Sequence, residues 1–132
     1  MILALNIGNS NITFGGYTPD GKLVFSSRLF ADTALSSDEL LYKIVNMLAL
    51  YGAEPQQITA VIFSSVVPPI NFMMAKALTR LLGKPPMIVG PGVKTGLNIR
   101  MEIHNQLGAD LVAGAVAALD KYPTPIIMID MG

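Results

Sequence analysis

The chain has 132 residues, 52% of them hydrophobic and 14% charged, with nine basic and nine acidic side chains. That length suits one domain, or one domain and the start of another, and such a chain buries roughly two-thirds of its unfolded surface. Zero net charge with scattered Lys and Arg excludes a disordered charged tail and gives no electrostatic grip on nucleic acid or an anionic membrane, and the absence of Cys excludes disulfides, thiolate catalysis and cysteine-ligated zinc. The single histidine, His104, argues against a histidine metal site or a Ser-His-Asp triad. Residues 1–19 hold Asn6, Asn9, Ser10 and Asn11 and lack a basic start, unlike a signal peptide. Residues 55–75 are broken by Ser64-Ser65 and Pro68-Pro69, which would interrupt a spanning helix. The expectation is a soluble cytoplasmic protein. Its apolar excess points to burial against another domain or subunit.

In chain order, Ile2 to Gly8 is a short apolar run and Asn11 to Tyr17 alternates Ile12 and Phe14 with polar or small residues. Thr18-Pro19-Asp20-Gly21 is a turn signal, and Lys22 to Arg28 alternates again. These predict three strands in an antiparallel meander. Ser36-Ser37-Asp38-Glu39 has the capping-box form, and Leu40, Leu41, Ile44, Val45, Leu48 and Ala49 follow on one helical stripe that Gly52 ends. Thr59 to Ser65 reads as a β-branched strand covered on both faces. Pro68-Pro69 opens a second helix that stops at Gly83, and Pro86 to Gly90 is a short strand. A Gly-rich irregular stretch, Pro91 to Asn105, precedes a third helix over about Gln106 to Lys121, whose small residues allow close packing on a sheet. Pro125 to Met131 predicts a last buried strand. The fold class is therefore α/β, a mixed sheet with three antiparallel N-terminal strands and helices on both faces.

Leu5-Asn6-Ile7-Gly8 is echoed by Ile129-Asp130-Met131-Gly132. A duplicated fold explains the echo, with 1–124 as one lobe and 125–132 as the first strand of a second, truncated one. Gly8-Asn9-Ser10-Asn11 joins two strands, so it is not a P-loop, which needs a following helix. A tight turn of this kind still offers backbone N–H groups and short side-chain donors to phosphate oxygens, although it also suits an ordinary hairpin. Asp130 closes a strand, where a carboxylate either holds Mg²⁺ with phosphate oxygens or is a solvated strand end. Asp110 follows Gly108-Ala109 at a helix start, where the dipole favours a carboxylate in any case. The functional alternative is a general base. Ser64 and Ser65 end a strand where a cleft can form, with no His near in sequence to activate them. Pro91 to Leu97, with Lys94, suits a loop lining that cleft.

Taken together, Leu5-Asn6-Ile7-Gly8-Asn9-Ser10-Asn11, Ser64-Ser65-Val66-Val67-Pro68-Pro69, Pro91-Gly92-Val93-Lys94-Thr95-Gly96-Leu97, Gly108-Ala109-Asp110 and Asp130-Met131-Gly132 resemble, in order and spacing, the motifs of type III pantothenate kinases. That family belongs to the acetate kinase/sugar kinase/Hsp70/actin superfamily, and its chains are about twice as long as this one. The resemblance implies two ribonuclease H-like (actin-like ATPase) lobes with ATP and pantothenate between them. It also implies a homodimer that uses Mg²⁺ with a monovalent cation (K⁺ or NH₄⁺) to make 4′-phosphopantothenate for coenzyme A. By resemblance, Gly8, Asn9, Ser10, Asn11 and Gly132 would hold ATP phosphates. Asn9, Gly108, Ala109 and Asp110 would bind pantothenate, Asp110 being the base on its hydroxyl, and Asn6 and Asp130 would serve the metal. The sequence departs from the family pattern at Asn6, where the family has Asp, and at Leu111, where it has Arg. It departs again at Glu102-Ile103-His104, where the family has Asp-Asn-Pro. Two alternatives therefore stand beside a pantothenate kinase, a non-catalytic binding or regulatory relative and a kinase of another small hydroxylated substrate. A ribonuclease H-type nuclease would need a carboxylate on the first strand, and Asn6 supplies none.

Overall fold

The computed structural model describes residues 1–90, 93–100 and 107–130. Strand β1 (Ile2–Ile7) buries Leu3, Leu5 and Ile7 on one face and turns Ala4 and Asn6 to the other, the period of two that strand geometry imposes. It pairs antiparallel with β2 (Asn11–Tyr17), which pairs antiparallel with β3 (Leu23–Phe30). Helix α1 (Ser37–Leu50) carries the chain back to β4 (Ala60–Ser65), which lies parallel beside β1. Helix α2 (Pro68–Leu82) then leads to the two-residue β5 (Met87–Ile88), parallel to β4, and α3 (Ala109–Lys121) follows. The strand order β3-β2-β1-β4-β5 is the ribonuclease H-like mixed sheet expected from the meander and the two crossovers.

The core lies between one face of this sheet and α1 with α2. Leu3, Leu5, Ile7, Ile12, Phe14, Val61 and Phe63 from the strands meet Leu40, Ile44 and Leu48 of α1 and Ile70, Met74 and Leu78 of α2. Full burial of each large side chain contributes roughly 1.5–3 kcal/mol, so this layer carries the stability of the unit. Tyr51, just past α1, stacks on Phe25 of β3 at 4.7 Å and donates its hydroxyl to the Ser26 carbonyl at 3.0 Å, which ties the outer strand to the helix layer. Helix α3 covers the opposite face and buries no residue fully. No helix among the described residues is long and apolar enough to cross a membrane.

The helix signals act as their chemistry requires. Ser36 caps α1, its Oγ accepting from the Glu39 amide at 3.3 Å while the Glu39 carboxylate accepts from the Ser36 amide at 2.9 Å. The Ser36 hydroxyl and amide hold the Glu39 carboxyl below its ordinary range. A carboxyl lowered by folding contributes stability above its unfolded pKa, and that contribution is lost as pH falls through the lowered value. Ser36→Ala is expected to cost about 1 kcal/mol in denaturant unfolding and to move the Glu39 titration, followed by NMR, upward. Gly83 ends α2 at φ 74°, a left-handed cap that glycine takes without strain.

Two elements differ from expectation. The third helix starts at Ala109, because Gly108 adopts an extended conformation (φ −58°, ψ 143°) and acts as its N-cap. Residues 125–130, expected as a buried strand, form no ladder. A strand exists by pairing, neither outer strand of the sheet takes this segment up, and Ile127 and Ile129 remain exposed. Ile126 is partly buried, and the half-exposed Met128 reaches α3, its Sδ 3.1 Å from where a Cβ on Gly114 would stand.

Candidate active site

Because β1 and β4 run parallel, Ile7 and Ser65 reach the same edge of the sheet, the edge at which open α/β sheets take ligands. On the face opposite the core, α3 stands off the strands and leaves a cleft of about 440 Å³. The register sets its floor in two rows. Ser26, Gly15, Ala4 and Ile62 form one, and Thr13, Asn6 and Ser64 form the next, nearer the ligand edge. Asp110, Ala113, Gly114 and Ala117 form the roof, a stripe at helical spacing whose small residues keep the space open.

Asn6, the penultimate residue of the central strand, is exposed, since it faces this cleft. The buried Ser64 hydroxyl donates to Asn6 Oδ1 at 2.7 Å and fixes the amide. A carbonyl oxygen has two lone pairs, so one remains for a ligand. Asp110 lies in the first turn of α3, where its Oδ1 accepts from the Leu111 amide at 2.9 Å. Helix-end amides favour a charged carboxylate at this position. The start of α3 is set over the end of β4, because Gly108 lies against Val66.

Gly108 is a glycine for a reason of space. A Cβ there would overlap the Asp110 carboxylate oxygen, which can swing aside where backbone could not. Gly108→Ala is therefore expected to leave the unfolding midpoint nearly unchanged while displacing Asp110. If Asp110 reacts with substrate, activity of the full-length protein falls about 10- to 100-fold, read as kcat alongside thermal melting.

The structure brings Asn6 and Asp110 into one cleft, with Gly108 and Ala109 half-buried just before the roof. It does not bring the β1–β2 hairpin into the lining. There the Gly8 amide donates to the Asn11 carbonyl at 2.9 Å and closes a two-residue Asn9-Ser10 turn, so that N–H is spent inside the turn. Asn9, Ser10 and Asn11 are exposed at the edge above the Asn6 row, and the Ser10 carbonyl accepts from the Ala31 amide. Asp130 is exposed and outside the cleft lining. Gly132, Pro91, Gly92 and Glu102-Ile103-His104 lie outside the described residues. Among the described residues no three His, Cys, Asp or Glu cluster as a metal cage. Ser64 as the partner of Asn6, and Thr13 beside it, are what sequence reasoning missed. Their signal is the parallel register of β1 on β4, which is not local in the chain.

The model of the family described as type III pantothenate kinase matches residues 2–132. The chain belongs to the type III pantothenate kinase family. A type III pantothenate kinase of Listeria welshimeri is 41% identical over all 132 residues, which is 51% of that protein. One from Bifidobacterium adolescentis is 39% identical over the same span and the same share. The chain thus spans about half the length of the curated relatives it matches. Among solved structures, a ROK family transcriptional regulator, a homolog of the E. coli MLC protein, superposes on 67% of this chain and 27% of its own, with a TM-score of 0.51 at 13% identity. That likeness is one of fold alone.

Proposed function

We propose that the full-length protein is an ATP-dependent pantothenate kinase and that this chain supplies its first ribonuclease H-like lobe, residues 1–124, with 125–132 opening the second. The observation that carries this reading is the Asp110 carboxylate, held at the start of α3 over the Asn6–Ser64 pair in a chain of this family. In the reaction, the pantothenate hydroxyl oxygen attacks the γ-phosphorus, its proton passes to Asp110, and ADP leaves with the electrons of the broken P–O bond. Gly108, Ala109 and Asn9, at the margin of the cleft, would bind pantothenate. Asn9, Ser10 and Asn11 offer donors to the phosphates, together with Gly132 and with Gly8 once its turn opens.

The oxygen donors present suit Mg²⁺, which usually takes one or two protein oxygens and completes its shell with phosphates and water. Asn6 Oδ1 and the Asp130 carboxylate would hold the ion, which when bound would neutralise charge developing on the phosphates. A K⁺ or NH₄⁺ requirement, a homodimer and a cytoplasmic location rest on family membership. The exposed apolar residues Val116, Leu119 and Tyr122 on and after α3 add support for a further subunit or lobe.

The test is ADP release from ATP with and without pantothenate, using the full-length protein. Pantothenate-dependent release is the expected result. A second reading, a binding or regulatory relative, is favoured by the neutral Asn6 and apolar Leu111. It predicts silence from a folded protein that still binds ligand. Release with another hydroxylated acceptor but not pantothenate would move the assignment to that substrate.

A further inference from the structure

We propose that Arg28 is a phosphate-binding residue of the cleft, contacting the polyphosphate chain of a nucleoside triphosphate held at the Gly8–Asn11 hairpin. The register places it there. Arg28 pairs with Thr13, Thr13 with Asn6 and Asn6 with Ser64, so the row that floors the cleft nearest the ligand edge continues onto β3 at Arg28. Ser26, two residues earlier and thus on the same face, lines the cleft directly. Strands lie about 4.8 Å apart, so Arg28 stands about 10 Å from Asn6 with only the short Thr13 between them. An arginine extended along the row passes over that threonine.

A second relation bears on the same point. Asn11, at the base of the hairpin, pairs across to Phe30 of β3, so Arg28 sits two residues along β3 from the neighbour of that base. The hairpin and the row contain Gly8, Asn9, Ser10, Asn11, Thr13, Asn6 and Ser64, none of which ionises. Arg28 is the one charge on them. Asp110 faces the cleft from the roof, and an incoming polyphosphate needs a cation to offset that carboxylate. Arg28 is exposed, and among the described residues its guanidinium has no ion-pair partner, so its charge is not already spent. A guanidinium also offers the planar fork that matches phosphate oxygens.

The inference rests on the kinase reading for the identity of the anion, and the experiment separates the two. Equilibrium binding of ATP, of inorganic tripolyphosphate and of adenosine is measured by calorimetry on the full-length protein and its Arg28→Met and Arg28→Lys variants. Arg28→Met should weaken ATP and tripolyphosphate about 10- to 100-fold, leave adenosine unchanged and keep the unfolding midpoint. Arg28→Lys should recover part of the loss. If the wild type lacks pantothenate-dependent turnover yet the variant shows this pattern, the kinase reading fails and the phosphate site stands. If the wild type turns over and Arg28→Met binds ATP within about twofold of it, the site is wrong and the kinase reading stands. Arg28 would then be a charge that keeps an edge strand from pairing with other chains. An equal loss for adenosine, or no ATP binding by the wild type, also overturns the assignment.

Discussion

Asp110→Asn in the full-length protein is expected to lower kcat for pantothenate-dependent ADP release by about 10²–10⁴, the usual worth of a positioned general base. The substitution is nearly isosteric and keeps an oxygen where Oδ1 now accepts from the Leu111 amide at 2.9 Å. The start of α3 should therefore persist, and the cleft lined by Ala113, Gly114 and Ala117 keeps its shape. The lost carboxylate charge costs only the helix-dipole contribution, about 0.3–1 kcal/mol, so the thermal midpoint should move slightly. A large fall in kcat with a small change in stability and in pantothenate KM identifies a group acting in the transition state. Turnover that survives within severalfold of wild type removes Asp110 from the chemistry and leaves it a helix-start carboxylate. Gly108→Ala reports on the same group by position instead of charge, and the two should agree in direction.

The fold was legible because its signals are local. The alternation of Ile12 and Phe14, the Thr18–Gly21 turn, the Ser36–Glu39 box and the Pro68-Pro69 start each reflect a period or a backbone preference spanning a few residues. The 125–130 segment shows the limit of that logic. Its β-branched, apolar composition suits a strand, but a strand needs a partner, and composition does not say whether one is within reach. The third helix starts later than its composition predicts, because its small residues blur where periodicity begins and the decisive residue is a cap, Gly108. The site divides in the same way. Asn6 and Asp110 stood out by residue type beside glycines. Ser64 as the partner of Asn6, and the row running from Ser64 through Asn6 and Thr13 to Arg28, depend on strand register. Register is settled by pairing across up to 58 positions of sequence, as in the Ser64–Asn6 bond.

Asn6→Asp bears most directly on whether this cleft is a weakened kinase site or a converted one. The structure makes the exchange structurally mild. Asn6 is exposed to the cleft, and among the described residues its side chain makes one hydrogen bond, accepted by Oδ1 from the Ser64 hydroxyl at 2.7 Å, which a carboxylate accepts at least as well. What changes is a full negative charge in a row that has none, at the point where a divalent ion and phosphates would meet. Electrostatic contacts of that kind are worth about 10²–10³ in rate, so in a kinase that lacks one, Asn6→Asp should raise kcat by that order. The Mg²⁺ concentration for half-maximal rate should fall together with it. Arg28 sharpens the expectation, because a cation two strands away along the same row lowers the cost of the new charge when nucleotide is absent. Unchanged folding with no gain in rate and no shift in Mg²⁺ dependence would sink the weakened-kinase reading. The neutral Asn6 would then belong to a pocket shaped to bind its ligand without turning it over.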